Sequence, residues 1–179
     1  GYLRKTEANL AEIIRFIEPV NPDIIGLVEV DGGSFRSGKQ SQSQVIAEAV
    51  GHYHSYGCKY NQSLVAKKIP ILRHQGNAFL TKEAVSSEQF HYFDKGLKRL
   101  VIELELDNLV IFLVHLALGF RARHSQLADL YSLVKETTKP HIVAGDFNAL
   151  SGDKEIRLFC GATGLRNANE SRLPTFPSG

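Results

Sequence analysis

The chain has 179 residues, 43% of them hydrophobic and 22% charged, with a net charge of +2. That length fits one domain with a substantial core, and the composition is ordinary for a soluble globular protein. The charge is too mild to argue for nucleic-acid or membrane binding by electrostatics alone, and no apolar run is long enough to span a membrane.

The pattern predicts elements in this order. Leu10, Ile13, Ile14 and Ile17 recur at helical spacing within residues 5–18, and Pro19 and Pro22 should stop that helix. Ile24, Ile25, Leu27 and Val28 read as a buried strand that ends in Glu29, Val30 and Asp31. A Gly- and Ser-containing loop follows, then a helix over 43–50. Strands are expected over 77–82, 97–106 and 109–116, the last two joined at Asp107-Asn108 by good hairpin chemistry. A helix over 123–136 presents Leu127, Leu130, Tyr131 and Val134 and ends before Pro140. A strand over 141–144 then turns sharply through 145–148, and 153–160 reads as a last helix. Strands joined by a hairpin, with helices before and after, favour an α+β sandwich over a doubly wound parallel sheet.

Basic residues cluster at Lys67-Lys68, at Arg73-His74, around Lys95, Lys98 and Arg99, and around Arg121, Arg123 and His124. They could flank an anionic substrate, although a solvated surface explains any single cluster. Cys58 and Cys160 lack the spacing of a zinc or redox motif. Two free thiols in a reducing compartment are the expectation, with one disulfide as the alternative. A soluble, cytoplasmic monomer is expected, and the opening Gly1 is compatible with a processed or trimmed start.

Three places carry chemistry. In Gly145-Asp146-Phe147-Asn148, a glycine after a buried strand lets the backbone turn. It sets an acid and an amide at alternate positions, which can project to the same side. The acid can orient or deprotonate a water, and the amide can donate to a phosphate oxygen. The competing reading is a turn whose Asp and Asn cap the next helix. Glu29 sits at the mouth of a buried strand, where a carboxylate needs compensation; Mg²⁺ would supply it, and so would a salt bridge. Asp31 suits a loop role. His115 closes an apolar strand, where a histidine is more often a satisfied core residue than a catalyst. Its place at a strand end, ahead of Arg121, Arg123 and Gln126, raises the functional reading.

Taken in order, these motifs resemble the endonuclease/exonuclease/phosphatase (DNase I-like) superfamily. Pro22-Asp23-Ile24-Ile25-Gly26-Leu27-Val28-Glu29 is similar to its metal-ligand motif, and Gly76-Asn77-Ala78-Phe79-Leu80-Thr81 to its next inner strand. His115-Leu116 with Arg123 and Gln126 resembles its His-Leu…Arg-x-x-Gln segment, Gly145-Asp146-Phe147-Asn148 its Gly-Asp-x-Asn motif, and Pro174-Thr175-Phe176 the stretch before its last strands. The resemblance implies a four-layer α/β/β/α sandwich of two packed, mostly antiparallel mixed sheets, in one domain over 1–179. It implies that Glu29 binds Mg²⁺ (or Mn²⁺). His115, Asp146 and Asn148 would be catalytic, and Asn77, Arg99 and Arg123 would contact substrate; for each arginine a surface salt bridge is an equal alternative.

The implied activity is hydrolysis of a phosphate ester by in-line attack of water, a phosphodiester in preference to a monoester. Nucleic acid, inositol phosphate and phospholipid remain open as substrates. Loops 32–42 and 57–75 are where specificity would lie. The family's first strand with its asparagine and its closing Ser-Asp-His motif are not found in the sequence. A trimmed domain is therefore expected, and a catalytically impaired or purely binding domain of the same fold is the competing reading.

Overall fold

The computed structural model describes residues 2–34, 39–58, 75–95, 100–150, 152–169 and 175. Chain order is α1 (Tyr2–Val20), β1 (Ile24–Asp31), α2 (Gln42–Val50), β2 (Tyr53–Cys58), β3 (Gln75–Thr81), β4 (Ser87–Tyr92), β5 (Leu100–Glu105), β6 (Val110–His115), α3 (Phe120–Glu136), β7 (His141–Asp146) and α4 (Lys154–Thr163). The first three strands form a sheet in the order β1-β3-β2, and the rest form a sheet in the order β4-β5-β6-β7. All pairings are antiparallel except β6 with β7.

Three apolar clusters define four layers. Leu10, Ile14 and Ile17 of α1 and Ile46 and Ala47 of α2 pack on Ile25, Leu27 and Leu80 of the first sheet. Phe79, Ile24 and Val28 meet Leu100, Ile102, Leu104, Ile111 and Leu113 between the sheets. Val101, Val110, Phe112 and Val114 face Leu127, Leu130 and Val134 of α3 and Phe159 of α4. Along β6, therefore, alternate residues face opposite layers, and His115 falls two positions after Leu113, on the inter-sheet side. The α/β/β/α arrangement expected from the sequence is the one observed.

Local signals account for most boundaries. Ser41 caps α2 by accepting from the Gln44 N–H, and Gly51 closes it with a left-handed φ of 71°. Helix α1 runs through Pro19 to Val20, slightly past the expected stop. A proline this close to the end removes one ladder bond, and Asn21 at φ 48° then closes the helix, its N–H donating to the Ile17 carbonyl at 3.0 Å. The apolar pattern predicts neither β2 nor β4. Their sequences, YHSYGC and SEQFHY, lack a hydrophobic alternation, and among the described residues both stand at the edge of a sheet, paired to β3 and β5. Strand β7 extends to Asp146, because parallel pairing with β6 continues to His115↔Asp146.

On β2, His54 stacks on Tyr56 and its Nε2 lies 2.8 Å from the Ser43 hydroxyl. Loss of water around the ring holds its pKa below the ordinary 6.5, against the opposing pull of Glu88 and Glu48. The folded state thus binds the proton less well than the unfolded chain. Above pH 6.5 both states are neutral at this residue and nothing is lost. Stability falls as pH drops below 6.5 toward the lowered value. His54→Gln should flatten the dependence of urea stability on pH in that window; an unchanged slope would assign the dependence to other groups.

Candidate active site

Strand β1 does not run regularly to its end. Its register with β3 passes from Leu27↔Ala78 to Val30↔Gly76, so Val28 and Glu29 together oppose Asn77. This is a β-bulge, and Glu29 takes a left-handed φ of 60° within it. Unbroken alternation after Val28 would send Glu29 toward the helices. The bulge instead brings Glu29 Oε1 to 3.8 Å from His115 Nε2, on the facing sheet. Asn77 lies beneath: its side chain is fully buried, and its Oδ1 accepts from the Glu29 N–H at 3.4 Å.

The end of β7 is shaped by Gly145. Its φ is 134°, and a Cβ there would stand 1.9 Å from the Val114 carbonyl oxygen, which only glycine avoids. The turn that follows folds back on β6. The Leu116 N–H donates to the Asp146 carbonyl at 2.8 Å, and Asn148 Nδ2 donates to the Leu116 carbonyl at 2.7 Å. Asp146 Oδ1 accepts from the Asn148 N–H at 2.9 Å, and Asn148 holds a φ of 50°, which asparagine tolerates better than most residues. The other oxygen, Asp146 Oδ2, is 3.5 Å from His115 Nε2.

One imidazole therefore stands between two carboxylates. The His115 side chain is 2% exposed, whereas Glu29 and Asp146 are 49% and 48% exposed. The acids open to solvent and the histidine is sealed beneath them, with Asn148 almost buried alongside. Among the described residues, no three His, Cys, Asp or Glu side chains form a metal cage of protein ligands alone. The donor set fits a hard cation held by one carboxylate with water and substrate oxygens, the usual manner of Mg²⁺, and does not fit a closed structural site.

Other residues singled out from the sequence stand elsewhere. Arg123 is 4% exposed. Its guanidinium donates to Glu155 Oε2 at 2.9 and 2.7 Å and to the Ala117 and Leu118 carbonyls at 3.2 and 2.6 Å. Gln126 accepts from the Ala117 N–H and donates to the Lys95 carbonyl. Both side chains fasten the segment that follows His115-Leu116. Asp31 organises the loop after β1, its carboxylate accepting from the Gly33 and Ser34 N–H groups and from the Ser34 hydroxyl. Arg99, residues 59–74 and the Pro174-Thr175-Phe176 stretch apart from Thr175 lie outside the described residues. Cys160 is a free thiol whose partial burial raises its pKa.

The Arg123–Glu155 pair yields a stability prediction. Glu155 Oε1 is already buried without a partner, so Arg123→Met would leave an uncompensated carboxylate beneath α3 and α4. Breaking such a pair from one side costs about 3–5 kcal/mol. Urea denaturation should show a loss of that order; a loss below about 1 kcal/mol would mean that solvent reaches Glu155 freely.

Two packed sheets flanked by helices, with acids, an amide and a histidine gathered at the strand ends between them, define a DNase I-like fold. The sequence matches the Endonuclease/Exonuclease/phosphatase family over residues 2–179, and the chain belongs to that family. No curated protein sequence matches the chain. Among solved structures, D. rerio TDP2 complexed with a single-strand DNA product superposes with a TM-score of 0.60 at 16% identity, covering 84% of this chain and 56% of that one. The human Nocturnin catalytic domain with bound sulfate gives 0.59 at 19% identity, covering 86% and 61%. Truncated Caenorhabditis elegans TDP2 gives 0.54 at 17% identity, covering 83% and 57%. The chain thus spans about three-fifths of the length of these structures or less. Among the described residues, no helix is long and apolar enough to cross a membrane.

Proposed function

We propose that this chain carries the catalytic core of a Mg²⁺-dependent phosphoesterase that hydrolyses a phosphodiester by in-line attack of water. The observation that carries the reading is the convergence of Glu29, His115 and Asp146. Three strands from two sheets bring both carboxylates within 4 Å of one imidazole, beside the buried amide of Asn148.

Each residue has a part that its surroundings suit. Glu29, half exposed at its bulge, would hold Mg²⁺ (or Mn²⁺), and the cation would neutralise charge on the phosphate oxygens. Asp146 is braced by the Asn148 N–H at one oxygen and faces His115 with the other, so its carboxylate is positioned to orient and deprotonate a water. His115 and the second N–H of Asn148 Nδ2 are donors for phosphate oxygens. A preorganised donor of this kind is worth about 3 kcal/mol of barrier. The neighbours with bound DNA product and bound sulfate are consistent with an anionic, phosphate-like ligand, and a nucleic-acid substrate is the first to try.

The test is hydrolysis of an activated phosphodiester and an activated phosphomonoester, with and without Mg²⁺. Metal-dependent turnover of the diester is expected, exceeding that of the monoester. Tight binding of an oligonucleotide without any turnover would instead favour a non-catalytic domain of the same fold.

A further inference from the structure

We propose that Asn77 is a positioning residue: its amide oxygen holds the Glu29 N–H in the left-handed bulge and so aims the Glu29 carboxylate at the space above His115. The effect on metal affinity rests on the reading of Glu29 given above; the effect on the bulge does not.

The bulge interrupts the ladder where Asn77 stands: two residues of β1 oppose this one residue of β3. A glutamate at φ 60° is also strained, because its Cβ crowds its own backbone. Such a conformation persists only where the surroundings enforce it. The residue opposite the bulge is Asn77, and its Oδ1 accepts from the Glu29 N–H at 3.4 Å. The opposite amide orientation would set an N–H against an N–H, so the hydrogen bond itself fixes which way the amide faces.

The seat of Asn77 is tight. On its own strand, a Cβ at Gly76 would lie 2.2 Å from the Gly57 carbonyl oxygen. On β2, Asn77 pairs with Gly57, where a Cβ would run into Phe90 and Leu100. Asn77 shares the inter-sheet side of β3 with Phe79, two positions on, where an apolar side chain would pack without loss. The asparagine is instead fully buried, and its Nδ2 has no hydrogen-bond partner. An idle buried donor is a cost, and it calls for a compensating use of the other end of the amide. Buried and bonded to the Glu29 N–H, Asn77 is assigned here to action through Glu29, where the sequence-based expectation is a substrate contact.

The experiment uses the full chain, ¹⁵N-labelled, with Mn²⁺ as the metal probe. Asn77→Leu keeps the approximate shape and deletes the acceptor. In this variant the Glu29 amide resonance should move and its hydrogen exchange accelerate at least tenfold. Mn²⁺ binding should weaken by about 10–100-fold, the usual effect of losing a group that orients a ligand. KM for the diester at saturating Mn²⁺ should stay within about twofold, since uniform substrate binding is untouched. Asn77→Asp retains an acceptor and should keep the Glu29 amide protected. An unperturbed Glu29 amide in Asn77→Leu overturns the proposal, and so does a raised KM with unchanged Mn²⁺ affinity. Should Asn77→Leu fail to fold, loss of Glu29 amide protection in Asn77→Asp overturns it instead. If the parent chain binds no Mn²⁺ and hydrolyses nothing, the metal reading of Glu29 fails, and the amide comparison still decides the role of Asn77.

Discussion

Asp146→Asn is expected to lower kcat for the diester by about 10²–10⁴-fold, the contribution of a positioned general base, with an unchanged fold. The exchange keeps Oδ1 as an acceptor for the Asn148 N–H and so retains the turn at the end of β7. It removes the negative charge and leaves no basic oxygen to take a proton from water. The side chain is about half exposed, so little buried area is disturbed. The informative pair of measurements is kcat at saturating Mg²⁺ and the thermal midpoint of the same preparation. An unchanged midpoint with lost turnover assigns Asp146 to the chemistry. Near-normal turnover would remove it from the mechanism, and a collapsed midpoint would mean that its charge is structural.

Gly145→Ala should act through stability. The φ of 134° lies in a region nearly closed to residues with a Cβ, and the new methyl group would sit 1.9 Å from the Val114 carbonyl oxygen, a backbone atom that cannot swing aside. Strain and overlap together should cost about 3 kcal/mol or more, because relief requires β7 to separate from β6. That separation would break the pairing of His115 with Asp146 and the bond from the Leu116 N–H to the Asp146 carbonyl. Denaturant unfolding should show the loss, and any folded fraction should also be poorly active, since two site residues would have shifted. A variant with parental stability would show that β7 can slide without penalty.

The layered core was legible in the sequence. Leu10, Ile14 and Ile17 mark one face of a helix, and the runs before Glu29, His115 and Asp146 mark buried strands. Hydrophobic periodicity reports which face of an element is buried, so core strands and amphipathic helices stand out. The turn chemistry of Gly145 and Asn148 was legible for a related reason, since the positive φ values each adopts suit those residue types. Strands β2 and β4 were not, because an edge strand is defined by its partner's unpaired hydrogen-bonding groups and needs no apolar pattern of its own.

The candidate site divides along the same line. Its chemical inventory can be read from residue types alone: an acid, a histidine and an acid-amide pair, each at the end of an apolar run. Which of these groups meet depends on strand pairing between distant segments. Alternation along β1 would have turned Glu29 away from His115, and the bulge opposite Asn77 reverses it, a feature of pairing between strands 48 residues apart. Arg123 presents the reverse case. Its type and spacing suit a phosphate contact, yet Glu155, 32 residues further on, and two carbonyls of the preceding loop take up its guanidinium. A side chain's chemistry is local, but its direction and its partners are set by contacts between distant segments, and these decide whether a charge serves the fold or faces a substrate.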